Sequence, residues 1–63
     1  MGKTVHGKIE QINVAGEVYR IFPATIDEDD ADRWVQRQIR GYNMERTRIT
    51  IDGQHVAGIE AGK

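Results

Sequence analysis

The chain has 63 residues, of which 38% are hydrophobic and 30% are charged, and it contains no cysteine. This length suits one domain, expected over residues 1–63, and the composition is too apolar for an intrinsically disordered segment. Without cysteine, disulfides and thiolate metal sites are excluded. Nine basic against ten acidic residues leave a net charge of -1, which argues against a general basic field for nucleic acid.

The first predicted element is a strand over residues 4–13. Val5 and Ile9 fall on one face of such a strand, whereas Ile12 falls on the other. Either the strand has apolar side chains on both faces, or a bulge shifts its register. The expected positions for a bulge are Gly7 and Gln11.

A second strand follows at residues 17–22, where aromatic and β-branched side chains alternate with polar ones. The short connection before it contains Gly16, which can adopt a positive φ. Pro23 is expected to end this strand because it has no N–H for the ladder. The two strands therefore predict a β-hairpin.

Residues 27–40 are predicted to form the helix. Thr25 and Glu28 fit a capping box before it, and Asp27 is an equally acceptable N-cap. Acidic residues crowd the first turns, basic ones fill the later turns, and Gly41 follows as a stop, so both ends match the helix dipole. One apolar stripe of helical spacing comprises Ala31, Trp34, Val35, Ile39 and Tyr42.

The last predicted element is a hairpin made of strands 46–52 and 54–61. Asp52-Gly53 is a strong signal for a two-residue type I′ turn. In that geometry Ile51 is expected to face Gln54, and Ile49 to face Val56. Ile49, Ile51 and Val56 would then share one face of the hairpin, and Arg48, Thr50, His55 and Ala57 the other.

The element order β-β-α-β-β predicts an α+β fold, a small antiparallel sheet of two hairpins with the helix packed on one face. A single apolar helix stripe covers one sheet face, so apolar side chains on the other face need a second copy or another protein. We therefore expect a homodimer or another protein partner. The residues expected at such an interface are Tyr19, Ile21, Tyr42, Met44 and His55.

An acidic patch precedes and opens the helix, formed by Asp27, Glu28, Asp29, Asp30 and Asp32. Its spacing does not match a calcium loop, and neighbouring residues on a helix point in different directions, so it makes a poor metal cage. The favoured interpretation is a helix start that complements the dipole. The alternative is a small inhibitor that presents this patch to a basic protein groove.

Arginines form a second charged feature, with Arg33, Arg37 and Arg40 spaced along one side of the helix. Arg46 and Arg48 follow in the next element. Such a row could contact phosphates, which gives a nucleic-acid-binding regulatory protein as the alternative function. The favoured interpretation is a solvated face, in which Asp29 can pair with Arg33.

No catalytic site is predicted. The sequence has neither serine nor cysteine as a nucleophile, and His6 and His55 are too few for a standard zinc site. No apolar run suits a transmembrane helix or signal peptide, so a cytoplasmic location without a membrane partner is expected. The sequence as a whole predicts a small non-enzymatic protein-binding or accessory module without a cofactor.

Overall fold

The computed structural model describes residues 2–60, which form four strands, a 3₁₀ turn and one α-helix in the order β-β-α-β-β. The predicted α+β fold class is confirmed. The elements are β1 (Thr4–Ile12), β2 (Val18–Asp27), the 3₁₀ turn (Glu28–Asp30), α1 (Ala31–Gly41), β3 (Thr47–Ile51) and β4 (Gln54–Gly58).

The strands form one antiparallel sheet in the order β2-β1-β3-β4. β1 therefore lies between β2 and β3, which are consecutive strands in the chain apart from the helix that joins them. That connection must pass over β1, and α1 packs on the sheet face that it crosses. β2 and β4 are the edges of the sheet.

The core lies between α1 and the sheet. Ile9, Ile26, Val35 and Ile49 are buried there, and Ile49 has no exposed surface at all. Trp34 of α1 lies directly over Gly7, where an added Cβ would be 2.7 Å from the indole ring and 2.7 Å from the Ile26 side chain. The predicted apolar helix stripe thus faces the sheet, and a glycine in β1 makes room for its largest member.

β1 carries buried side chains on both faces. Val5 and Ile9 are buried under the helix, whereas Glu10 and Ile12 are buried on the opposite face. Gln11 pairs with Arg20 but Ile12 pairs with Val18, so the extra residue at this register shift lies in β2. Of the two interpretations drawn from the sequence, the correct one is that β1 has apolar side chains on both faces. The bulge lies in β2 and not at Gly7 or Gln11.

β2 does not end at Pro23, so that prediction was wrong. The strand continues to Asp27, and Pro23 pairs with Lys8. The backbone N–H of Glu28 donates to the carbonyl of Lys3 (2.8 Å), and strand alternation then directs the backbone of Pro23 away from β1. An edge strand tolerates proline at such a position because no ladder hydrogen bond is lost.

The predicted capping box was also wrong, because Thr25 lies inside β2. Asp27 precedes the 3₁₀ turn and Asp30 precedes α1, and neither side chain makes a capping hydrogen bond. At the other end α1 includes Gly41, and the N–H of Tyr42 closes the helix on the carbonyl of Gln38 (3.0 Å). The acidic residues therefore act on the helix start through charge rather than as caps.

The second hairpin has the predicted turn. Asp52 and Gly53 have φ values of 50° and 84°, and these two positive angles are those of a type I′ turn. Ile51 pairs with Gln54, as expected.

Thr50 pairs with His55, which also fits the predicted register, but from Ile49 onward that register was wrong. Ile49 pairs with Ala57 rather than with Val56, because the register shifts between Ile49 and Thr50 and leaves Val56 as the extra residue of β4. β4 ends at Gly58, earlier than expected; Ala61, in the predicted range, lies outside the described residues.

Candidate protein interface

Exposed apolar side chains concentrate in the first half of β2 and the turn before it. Five of the six large hydrophobic residues exposed between residues 2 and 60 lie there, and the sixth is Val56. Tyr19 is 59% exposed and Ile21 is 53% exposed. We call this surface the β2 patch; it comprises Val14, Val18, Tyr19, Ile21 and Phe22.

The patch exists because β2 is an edge strand that the helix covers over part of its length. Ile26, near the end of β2, is buried, whereas Phe22 on the same helix-facing side is 37% exposed. Phe22 lies opposite Ile9 and meets the ring of Tyr42, with centroids 6.2 Å apart. Ile21 lies opposite Glu10 and therefore projects from the other face. The patch thus wraps around both faces of the edge.

The backbone of this edge offers few hydrogen bonds to an added strand. Strand alternation, fixed by the bond from Glu28 to Lys3, directs the polar groups of Ile21, Pro23 and Thr25 outward. Pro23 lacks the N–H, and the extra residue at Tyr19 interrupts the ladder beyond Ile21. Both features are common protections of an edge strand against indiscriminate pairing. A partner here would be held mainly by side chains.

Three further residues were predicted at the interface. Tyr42 and Met44 follow α1 and are half-buried, and Tyr42 adjoins the β2 patch through Phe22. His55 is exposed on β4, at the other edge of the sheet, with its Nε2 atom 2.9 Å from the carbonyl oxygen of Gly58. The structure therefore places Tyr19 and Ile21 on the β2 edge, Tyr42 beside it, and His55 at the opposite edge.

Sequence reasoning missed three members of the patch, namely Val14, Val18 and Phe22. Val14 falls in the predicted connection between the first two strands, where it is 83% exposed. Phe22 falls in the second predicted strand, and the sequence does not indicate that this strand lies at the edge of the sheet. A signal was available in Val18-Tyr19-Arg20-Ile21-Phe22, which places apolar side chains on both faces of one strand. These side chains are exposed only because β2 is an edge strand, and the sequence alone does not give the strand order.

The opposite face of the sheet carries a charged network. The Nε atom of Arg48 donates to Glu10 (2.8 Å), and the Lys8 ammonium lies 3.8 Å from the other carboxylate oxygen. The Glu10 side chain is 11% exposed and that of Arg48 is 17% exposed. The hydrogen bond from Arg48, and the nearby positive charges, hold the pKa of Glu10 below its ordinary value of 4.5 although burial opposes this.

The structure distributes the five arginines predicted to contact nucleic acid over the helix, the loop after it and β3. Arg33, Arg37 and Arg40 lie on α1, and Arg33 is within 4.0 Å of Asp30. Arg46 lies beside Ile12 and Tyr19, and Arg48 is bound to Glu10 on the far face of the sheet. The arginines of α1 stay together, with Arg33 and Arg37 beside Trp34, but Arg48 does not join them.

The acidic patch is divided among three elements. Asp27 ends β2, the next three acidic residues form the 3₁₀ turn, and Asp32 lies in α1. Asp30 is engaged by Arg33 at a largely exposed ion pair, and such pairs contribute little to stability. All five residues are exposed.

Within the described residues, no group of three or more histidine, aspartate or glutamate side chains is placed to hold a metal ion. β3 separates the strands that carry His6 and His55. No helix between residues 2 and 60 has the length and apolar character needed to cross a membrane. Comparison of the chain with protein-family models, curated proteins and solved structures found no match.

Proposed function

We propose that the chain is a small non-enzymatic protein-binding module that acts as a homodimer through the β2 patch. The observation that carries the proposal is the concentration of exposed apolar side chains at residues 14–22, on both faces of one edge strand. Exposed apolar side chains concentrated in this way are typical of protein interfaces, where aromatic side chains are enriched.

The length of the edge strand sets how far a contact along it can reach. Ten residues at about 3.3 Å each give β2 a length of about 33 Å. The longest dimension of the molecule is 42 Å, so an interface along β2 would extend over most of it. A standard interface covers about 800 Å² per partner, roughly a sixth of the 4682 Å² surface of the chain.

A second copy suits the patch for a further reason. A two-fold contact places the same surface against itself, so apolar side chains meet apolar side chains without any new complementarity. A dimer would also support a core that is marginal at about 60 residues, in a chain that has no cysteine for disulfides.

The two alternative functions have less support. Nucleic-acid binding needs several uncompensated arginines on one surface, and here Arg33 and Arg48 have acidic partners on different elements. An inhibitor that presents the acidic patch would need the carboxylates on one face, whereas they are spread over β2, the 3₁₀ turn and α1. A cytoplasmic location stays a prediction from composition.

Sedimentation equilibrium of the full chain tests the proposal. We expect a mass of twice 7.2 kDa at micromolar concentration. Ile21→Lys places a charge in the centre of the patch and should shift the chain to monomer without changing its circular dichroism spectrum. Val56→Lys is the matched control, because Val56 is exposed but lies outside the patch.

A wild-type chain that is monomeric up to about 100 μM would overturn the proposal, because a contact weaker than that would not persist in solution. A dimer that Ile21→Lys leaves intact and Val56→Lys disrupts would also reject the β2 patch as the interface.

A further inference from the structure

A groove separates the first turns of α1 from the β3–β4 hairpin. Its volume is about 400 Å³, within the range of sites that accept a small molecule or a large side chain. It lies away from β2, at the other side of the sheet. The groove is therefore independent of the surface proposed above.

The floor of the groove is apolar. Val35 is buried, Ile51 is half-buried, and Val56 is 44% exposed. Val56 is the extra residue of β4, so the register shift removes it from the pair with Ile49 and places it beside the groove. β-Bulges that redirect a side chain in this way are frequent next to binding sites.

The polar side chains that line the groove all carry hydrogen-bond acceptors. Asp32 and Gln36 come from α1, and Asp52 and Gln54 come from the hairpin, with no lysine, arginine or histidine among the described lining residues. Asp52 is held in place, because its Oδ1 atom accepts a hydrogen bond from the backbone N–H of His6 (2.9 Å). The groove therefore combines an apolar floor with fixed negative charge.

We infer that this groove binds an arginine side chain supplied by a partner protein. The methylenes and the flat guanidinium face suit the apolar floor, and the five N–H donors suit carboxylate and amide oxygens on two sides. A neutral apolar side chain would not complement the charge of the two carboxylates. A lysine side chain carries the same charge, but its compact ammonium group cannot bond to acceptors on both sides of the groove.

An NMR titration of the isotope-labelled full chain tests the inference with acetyl-Gly-Arg-Gly-amide as the probe. The same peptide with citrulline is the matched control, since citrulline keeps the shape of arginine and lacks its charge. We expect saturable shifts at the amides of the groove residues with a millimolar dissociation constant, and about fivefold weaker binding of the citrulline peptide.

Two pairs of variants test whether binding depends on residues of the groove or on the negative charge of the chain in general. Asp32→Asn should weaken the arginine peptide about fivefold, whereas Asp29→Asn, which removes an acid outside the groove, should not change it. Val56→Ala should weaken binding because it removes apolar surface from the groove. Val14→Ala, at an exposed valine in the β1–β2 turn, should leave binding unchanged.

Equal binding of the citrulline peptide would overturn the inference, as would equal effects of Asp29→Asn and Asp32→Asn. The absence of saturable shifts up to about 20 mM peptide would overturn it as well. A lysine peptide that binds as tightly as the arginine peptide would reject the guanidinium as the recognised group.

Discussion

Asp52 and His6 exchange two hydrogen bonds at the end of the β1–β3 ladder. The backbone N–H of Asp52 donates to the carbonyl of His6 (2.8 Å), and the backbone N–H of His6 donates to Oδ1 of Asp52 (2.9 Å). Asp52 begins the type I′ turn with a φ of 50°, so its own carbonyl turns away from His6. The carboxylate takes the place of that carbonyl as acceptor.

Replacement of Asp52 by alanine should therefore cost about 1–2 kcal/mol of unfolding free energy. The change removes the acceptor and leaves a residue that tolerates positive φ poorly. Asp52→Asn retains both properties and should cost less than about 0.5 kcal/mol. Urea unfolding followed by the fluorescence of Trp34 measures the difference, and equal losses for the two variants would contradict the role of the side-chain acceptor.

Gly58 is the glycine that should tolerate alanine least. Its φ is 85°, and an added Cβ would overlap the backbone carbonyl of Thr47. We expect Gly58→Ala to cost more than about 3 kcal/mol, because strain and backbone overlap add.

Gly16→Ala is the matched control for this prediction. Gly16 has a φ of 87° but has no atom within 4 Å of an added Cβ, so this substitution should show the backbone strain alone, about 1 kcal/mol. Thermal unfolding by circular dichroism compares the two variants. Similar losses would mean that β4 moves aside without cost.

Much of the fold follows from local signals in the sequence. The stripe from Ala31 to Ile39 identifies the helix and its buried side, and Asp52-Gly53 identifies the turn. These features depend on nearby residues, so periodicity and turn chemistry are sufficient to find them.

Strand order and register depend on residues far apart in the sequence. Pro23 is compatible with a strand only because β2 is an edge, and the extra residues at Tyr19 and Val56 appear only when two strands are aligned. The β2 patch and the groove both derive from these non-local features. This is why exposed apolar side chains could be anticipated at Tyr19 and Ile21 but not at Val14, Val18 or Phe22.

Thr47 offers a substitution that should stabilise the protein. Its side chain is fully buried, and its Oγ1 atom has no hydrogen-bond partner. Valine has nearly the same shape without the hydroxyl, so Thr47→Val should raise the unfolding free energy by about 1 kcal/mol. Thr47→Ser keeps the hydroxyl and removes a methyl, so it should lower the unfolding free energy. If urea unfolding shows that Thr47→Val also lowers it, the hydroxyl has a hydrogen-bond partner in solution.

The pair of Glu10 and Arg48 should make stability depend on pH in the acid range. The folded-state pKa of Glu10 lies below its ordinary value of 4.5, so the unfolded chain takes up the proton first as pH falls. The stabilisation is complete above that ordinary value and is lost as pH falls through the lower, folded-state value.

Glu10→Gln should consequently cost about 1 kcal/mol at pH 7 and progressively less as the pH is lowered below 4.5. Urea unfolding at pH 7 and at about pH 3 measures this change, since the ordinary pKa of a glutamate in an unfolded chain lies between these two values. Glu45→Gln, at an exposed site, is the control and should have little effect at either pH. A cost for Glu10→Gln that is the same at both pH values would show that the lost contact is not electrostatic.

Gly7→Ala should cause a steric clash with Trp34 and Ile26, which pack directly on Gly7. The new methyl would lie 2.7 Å from both side chains, closer than carbon atoms pack, so the indole and the Ile26 side chain must both shift. We expect a loss of about 1–3 kcal/mol and a changed Trp34 emission spectrum. Gly41→Ala, with open space at the last residue of α1, should instead leave stability equal or slightly higher.

A compensating substitution separates steric conflict from a general effect on β1. Ile26→Val removes the Cδ1 atom that the new methyl would meet. On its own this change should cost about 1 kcal/mol, as is usual for a buried methyl group. In the background of Gly7→Ala it should cost less or restore stability, because neighbours that share one space are not additive. Strict additivity in the double-mutant cycle would mean that Gly7 is required for its backbone and not for the space above it.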